Sequence, residues 1–189
     1  MQLILKNIAR HISLTADEEA YFLSILHPKK IKRKHFFLQE GEINRQTAFV
    51  LSGTLRAYTI DENGFEHILQ FAPPDWWIAD MYSFIAEKPG NLNIEAIEDT
   101  EVLTIQKKDL EQLYITVPKF ERFFRIITEK SLVAMRQRLI DNLSLTAKKR
   151  YQKFCQQYPS LINSLPQKQI AAYIGVTPEF LSKMLKEKN

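Results

Sequence analysis

Polar and charged side chains near the carboxyl-terminal end of the chain have the types and spacing needed to read hydrogen-bonding edges and to bind anions. Glu179 and Lys183 are four residues apart, and Ser182 and Lys186 lie close to them in the sequence. Residues at this spacing share one face when the segment is helical. A carboxylate accepts hydrogen bonds, an ammonium group donates them and a hydroxyl does both. With Thr177 just upstream, the segment predicts a helix face that can make several kinds of polar contact.

Two short helices and a tight turn within residues 164–186 are predicted to position these side chains. The first helix begins near Gln167 and Lys168, and its apolar residues at helical spacing are Ile170, Ala171, Tyr173 and Ile174. Gly175 suits a left-handed turn, and Thr177 followed by proline and glutamate is typical of a helix start. The apolar side of the second helix is predicted to consist of Phe180, Leu181, Met184 and Leu185.

This pattern is typical of a helix-turn-helix, in which the second helix enters the major groove of DNA. An ordinary helical hairpin at the end of a domain has a similar pattern, so the segment alone leaves both interpretations open.

The distribution of charge favours the helix-turn-helix. Residues 119–189 carry 14 Lys/Arg against five Asp/Glu, a net charge of +9, whereas residues 1–118 carry 12 against 17. A basic end piece on a mildly acidic body is typical of polyanion binding.

Composition limits the class of protein. The 189 residues are 45% hydrophobic and 25% charged, as in ordinary globular proteins. The sequence contains no apolar run of about 20 residues and no signal-peptide cleavage pattern, so we expect a cytoplasmic protein without membrane contact. Its single cysteine, Cys155, excludes an internal disulfide. It is interpreted as a small packed residue rather than a redox sensor.

The first half of the chain predicts one helix followed by a β-rich domain. Thr15 and Glu18 form a capping-box pattern that begins a helix running to about His27. The basic run of residues 29–34 is interpreted as a solvated strand edge. Short apolar segments separated by turn signals fill residues 35–105, and Asp61-Glu62-Asn63-Gly64 is typical of a hairpin turn. Such a pattern predicts an antiparallel sandwich or barrel.

A long helix is predicted after Pro118, and residues 141–146 are interpreted as a hinge. The helix is apolar on more than one face, so it is expected both to pack on its own β domain and to pair with a second chain. A further helix is predicted from Ala147 to about Tyr158.

The order of these parts resembles the Crp–Fnr superfamily of bacterial transcription regulators over essentially the whole chain. The likeness rests on residues 38–42, 49–56, 167–171 and 175–179, and residues 143–151 resemble the branch common in Bacteroidetes. It implies an α+β fold with three parts: a cyclic nucleotide-binding-like antiparallel β-roll over residues 1–117, a dimerisation helix and hinge over 118–143, and a helix-turn-helix domain without a full wing over 144–189.

The resemblance implies double-stranded DNA, a second copy of the chain and RNA polymerase as partners. The residues expected at DNA are Gln167, Lys168, Thr177, Glu179, Ser182, Lys183 and Lys186. Glu179 would accept from a cytosine amino group, unless it serves only its helix dipole. Lys183 would donate to guanine, and the hydroxyls and Lys186 would contact phosphate.

Two departures from the family pattern change these expectations. Family members that bind cyclic AMP use Gly-Glu-Leu for the ribose and Arg-Ser/Thr-Ala for the phosphate, but here residues 79–81 read Ala-Asp-Met and residues 90–92 read Gly-Asn-Leu. Residues 73–93 are a loop-like insertion between the predicted strands; Lys88 is its only cation and is interpreted as a surface residue. We therefore expect no cyclic nucleotide and no other cofactor. A β-hairpin wing would follow the second helix in relatives, so its contacts are expected to be missing or replaced by Lys148, Lys149 and Arg150.

Three alternatives remain open. The insertion could hold another small molecule near Trp76, Trp77, Asp80, Met81, Phe84 and Asn91, or these aromatic residues could belong to the core. The chain could be a sensor or interaction module that does not bind DNA. A metal-dependent barrel enzyme is disfavoured because His11, His27, His35 and His67 lack metal-ligand spacing. No catalytic motif is present, so we do not expect an enzyme.

Overall fold

Two antiparallel sheets form the centre of the amino-terminal part of the structure, a computed structural model that describes residues 1–187. The first sheet has the strand order β1-β8-β3-β6 and the second the order β2-β7-β4-β5. The strands are β1 His27–Ile31, β2 Phe36–Leu38, β3 Gln46–Ser52, β4 Leu55–Ile60, β5 Glu66–Ala72, β6 Trp77–Ile78, β7 Asn93–Ala96 and β8 Thr100–Gln106. This arrangement confirms the predicted antiparallel β-roll.

Helices precede, interrupt and follow the strands, which confirms the predicted α+β class. They are α1 Gln2–Ala9, α2 Ala16–Ser24, α3 Met81–Ala86, α4 Lys107–Thr116, α5 Lys119–Ser144, α6 Ala147–Gln157, α7 Gln167–Ile174 and α8 Pro178–Lys186. The capping box that begins α2 is present, because the Thr15 hydroxyl accepts from the Glu18 backbone and the Glu18 carboxylate accepts from the Thr15 backbone.

The chain forms two compact units. The first contains Met1–Thr59 and Gln70–Glu129, and the second contains Ile60–Leu69 and the chain from Lys130 onwards. Helix α5 is continuous through the boundary. The predicted divisions at 117/118 and 143/144 therefore stay predictions, and the last two residues of the predicted 144–189 domain lie outside the described residues.

The first unit has two apolar cores because its strands alternate side chains between two faces. Ala48 and Val50 of β3 point between the sheets, where they pack with residues such as Leu55 and Ile94. Phe49, between them in sequence, points the other way and packs against α1, α2, α4 and the start of α5. This is the period of two expected for a strand buried on both faces.

Three details of the sequence prediction need correction. Helix α2 ends at Ser24, and Pro28 lies in β1, where an edge strand tolerates the missing N–H group. Helix α1 was not predicted, although Ile4 and Ile8 are fully buried. The predicted hinge is narrower, because α5 continues to Ser144.

Gly53 provides a test of the β3–β4 turn. Its φ is +75°, and an added Cβ would lie 2.5 Å from the Asp99 carbonyl oxygen. We expect Gly53→Ala to lower the free energy of unfolding by about 2–5 kcal/mol through left-handed strain and overlap. Gly64→Ala is the control, since its φ is +82° but no atom lies within 4 Å of the added Cβ. Urea unfolding measures both; equal losses would show that the overlap is relieved without cost.

Candidate nucleic-acid interface

Helices α7 and α8 meet at the turn that the sequence predicts. Gly175 has a φ of +71°, and its N–H group donates to the Ala171 carbonyl at the end of α7. Thr177 then caps α8, because its hydroxyl accepts from the Phe180 backbone N–H at 3.2 Å. Pro178 occupies the first helical turn, where no N–H partner is needed. Local sequence signals therefore determine where α7 ends and where α8 begins.

Aromatic and aliphatic packing holds these helices within the second unit. The rings of Phe154, Tyr158 and Tyr173 form a cluster with centroid separations of 5.3–5.5 Å. The Tyr173 hydroxyl donates to the Gln157 side chain at 3.2 Å. Leu181 is fully buried and is the main apolar anchor of α8. Because a helix advances about 100° per residue, this anchor determines which α8 residues face outward.

Most of the predicted DNA-contacting residues come together on one surface depression. Of the seven, Gln167, Glu179, Ser182, Lys183 and Lys186 line it, together with Pro178 and Glu187. Lys168 and Thr177 are exposed but do not line it. The outward face of α8 thus carries donors and acceptors beside the start of α7.

Phe180 does not lie where it was predicted. Its side chain is 53% exposed, whereas Leu181 is buried and Met184 and Leu185 are half-buried. The buried side of α8 is narrower than predicted. Phe180 lies about 100° around the helix from Leu181, the residue that anchors α8. A large aromatic side chain is therefore exposed next to the polar face.

Arg150 has a structural role that the sequence did not predict, and its expected phosphate contact stays a prediction. Its guanidinium donates to the Ile174 carbonyl at 2.8 Å, the Leu145 carbonyl at 3.0 Å and the Asn142 carbonyl at 3.3 Å. These carbonyls lie at the carboxyl-terminal ends of α7 and α5, where backbone acceptors lack helical partners. Lys148 and Lys149 remain exposed.

A second interior guanidinium belongs to Arg138, which the sequence did not single out. It donates to the carbonyls of Ile68 and Tyr173 at 2.6 and 2.7 Å, and also to that of Leu69. It lies over the Tyr173 ring at 3.9 Å. Burial lowers the pKa of the Arg138 guanidinium, but arginine stays charged at neutral pH. No pattern within α5 could identify this role, because the acceptors are distant in sequence.

The end of α5 is also linked to α6 by an ion pair. The Lys153 ammonium lies 2.7 Å from both carboxylate oxygens of Asp141, and Gln137 donates to one of them. The hydrogen bond from Lys153 lowers the pKa of Asp141 below its ordinary value. This pair helps to hold the middle of α6 against the end of α5.

The residues of the predicted ligand pocket lie in different surroundings, and the pocket stays a prediction. Trp77 packs with Phe49 and Phe124 in the helix-covered core, and Phe84 is buried in the same core. Trp76 is half-buried against the core between the sheets. Met81 and Asn91 are exposed.

The Asp80 side chain is buried within the insertion and contacts other residues of the insertion. One oxygen of its carboxylate accepts from the Ser83 backbone and caps α3. The other is buried without a hydrogen-bond partner among residues 1–187 and lies against Gly90, where an added Cβ would be 2.1 Å away. Ser83 in turn accepts from the Asn44 backbone and donates to the Lys88 carbonyl.

Arg56 is bound within the second sheet. Its guanidinium lies 2.6 Å from the Glu95 carboxylate and stacks over Tyr58 at 4.2 Å. The start of α3 therefore holds the chain's own carboxylate, and this arginine is engaged by another acid. Neither arrangement fits a bound cyclic phosphate.

Comparisons with known proteins agree with this architecture. Residues 28–116, slightly less than half of the chain, match the family model described as cyclic nucleotide-binding domain. A search of curated proteins found no match.

No helix within residues 1–187 is long and apolar enough to cross a membrane. In the same range, no three His, Cys, Asp or Glu side chains group to hold a metal ion.

Several solved regulator structures share the fold. The c-di-GMP responsive global regulator CLP of Xanthomonas campestris has a TM-score of 0.73 at 16% identity, over 92% of this chain and 91% of that one. FixK2 of Bradyrhizobium japonicum has a TM-score of 0.75 at 20% identity, over 86% and 84%. The catabolite activator protein of Thermus thermophilus has a TM-score of 0.58 at 20% identity, over 93% and 84%.

These likenesses establish the fold: a cyclic nucleotide-binding-type β domain followed by helices, as in regulators of the Crp/Fnr type. The predicted fold class is therefore confirmed. The Bacteroidetes branch stays a prediction.

Arg150→Met tests the structural role of that guanidinium. We expect the free energy of opening of α7 and α8 to fall by about 2–4 kcal/mol, because three carbonyls lose a charged donor. Hydrogen exchange of the backbone amides of residues 167–186 measures this opening. Lys149→Met is the matched control, with an expected change within about 0.5 kcal/mol at an exposed site. Equal protection in the two variants would contradict the role given to Arg150.

Proposed function

We propose that this protein is a sequence-specific DNA-binding transcription regulator that acts as a homodimer. The observation that carries the proposal is the outward face of α8, where Glu179, Lys183 and Lys186 lie with Gln167 around one depression. The face belongs to a strongly basic part of the chain. Recognition helices of this kind contact base edges with their first turns.

The exposed groups divide into base contacts and phosphate contacts. We expect Lys183 to donate to guanine, and Glu179 to accept from cytosine or to serve its helix dipole alone. The Thr177 hydroxyl accepts from the backbone but keeps its proton for a phosphate oxygen. Ser182, Lys186 and Lys168 supply further phosphate donors.

The start of α6 offers a second phosphate site. Its first turn has no acidic residue, although acids there would favour the helix dipole. Lys148 and Lys149 occupy that turn and are exposed. The Thr146 hydroxyl already accepts from the Lys149 N–H, but the amino-terminal end of a helix and two ammonium groups together favour an anion, which supports a backbone contact at this point.

The second half of α5 supports pairing with another copy of the chain. Six large apolar side chains between 46% and 82% exposed lie along it: Leu132, Val133, Met135, Leu139, Ile140 and Leu143. Proteins that act alone rarely expose such a continuous apolar surface. A second copy on this α5 stripe would present two copies of α8 to a palindromic site, with half-sites about 34–36 Å apart.

The internal capping by Asp80 and the Arg56–Glu95 pair support regulation without cyclic AMP. The phosphate of a cyclic nucleotide would require a cation or free N–H groups in the insertion. Contact with RNA polymerase stays a prediction from the resemblance.

A salt titration with genomic DNA fragments tests the function. A DNA-binding protein should lose affinity with rising salt by about 0.9 log units per phosphate contact for each log unit of salt. Absence of binding at low salt would instead favour the alternative, a sensor or interaction module that does not bind DNA.

Lys183→Ala should weaken binding to a selected site by about 1–3 kcal/mol and relax preference at one base pair, because one base contact is lost. Lys149→Gln is the control: it should weaken specific and random DNA equally and lower the salt slope by about 0.9. Fluorescence anisotropy at several salt concentrations gives both quantities. If Lys183→Ala behaves like the control, Lys183 is a phosphate contact only.

Leu139→Glu should raise the dimer dissociation constant at least about 100-fold, because a carboxylate would be buried without a partner. Ala134→Glu is the control, since Ala134 is exposed about 140° around α5 from Leu139. Sedimentation equilibrium measures the dissociation constant. Dimerisation unchanged by Leu139→Glu would place the interface elsewhere.

A further inference from the structure

The exposed ring of Phe180 is not explained by the packing of the second unit. The backbone N–H of Phe180 donates to the Thr177 hydroxyl, so the residue is held in the first turn of α8. Leu181, which follows it, is fully buried and sets the rotation of the helix. The phenyl group of Phe180 therefore projects from a well-defined position, yet 53% of the residue is exposed.

Phe180 adjoins the residue expected to contact bases. Phe180 and Lys183 are three residues apart, and side chains at that spacing are neighbours on a helix surface. Glu179 precedes Phe180 and also lies on the outward face. The Phe180 ring therefore borders the Glu179 carboxylate and the Lys183 ammonium group. It lies at the amino-terminal end of α8, where recognition helices contact base edges.

The major groove offers one apolar group to such a ring. Each base pair presents hydrogen-bond donors and acceptors there, and only thymine adds a methyl group at C5. Contact with a polar edge would leave that edge without its water or its partner, which is unfavourable. Contact with the thymine methyl would remove apolar surface from water on both sides.

We propose that Phe180 is a specificity-determining residue that packs on the C5 methyl of a thymine next to the base pair contacted by Lys183. This inference rests on the proposed DNA-binding function. The partner is duplex DNA because Phe180 borders the depression that Glu179 and Lys183 line, without lining it itself, in a basic part of the chain.

The test removes the methyl group and the ring separately. A bound site is first selected from genomic fragments, and each of its thymines is then replaced in turn by deoxyuridine, which lacks only the methyl. Wild type should lose about three- to tenfold in affinity at one thymine per half-site, corresponding to one buried methyl. Phe180→Ala should bind the original site more weakly and lose nothing further at that position.

Two controls isolate the contact. Phe65→Ala truncates another exposed phenylalanine, 65% exposed in the β4–β5 hairpin, and should keep the full preference for thymine. The salt slope of Phe180→Ala should equal that of wild type, because no phosphate contact is removed.

The outcomes separate this inference from the proposed function. If wild type and Phe180→Ala lose affinity equally at every thymine, the methyl contact is overturned while DNA binding stands. A change in oligomeric state without a change in thymine preference would also overturn it, since the ring would then contact protein. No DNA binding by wild type would instead remove the proposed function itself.

Discussion

The second unit depends on guanidinium groups that donate to backbone carbonyls. Its helices α6, α7 and α8 have only 11, eight and nine residues, lengths at which an isolated helix is unstable in water. Arg150 joins the ends of α5 and α7, and Arg138 joins α5 to Tyr173 and to the β5 backbone. Carbonyls at helix ends and strand edges otherwise need water, so each guanidinium satisfies several backbone acceptors at once.

The sequence determines local geometry better than long-range contacts. Gly175 and Thr177 specify the turn before α8 through their own backbone preferences, so both helices and most residues of the candidate interface could be predicted. Arg138 and Arg150 could not be assigned, because their acceptors lie up to 70 residues away. Helical periodicity does not give the width of the buried side of a helix, so the sequence wrongly predicts that Phe180 is buried. Within α8, only Leu181 is fully buried.

Proteins that share a fold can bind different groups. The β domain of this chain has the fold of cyclic nucleotide-binding domains. In this chain the insertion is tied together by its own residues: Asp80 caps α3, Ser83 joins two backbone segments, and the space beside Gly90 is filled by a carboxylate. A ligand at the start of α3 would have to displace the Asp80 side chain, which supports the proposal that this unit does not respond to cyclic AMP.

The proposed pairing through the α5 stripe would have a consequence for how the amount of this protein is sensed. Two chains that meet through this surface form a pair whose abundance, while most chains are single, rises with the square of the total concentration. The fraction of a two-fold symmetric DNA site bound by such pairs would then rise more steeply than the concentration of the chain. In such a system the rate of production of the chain would itself act as a signal, without any small molecule.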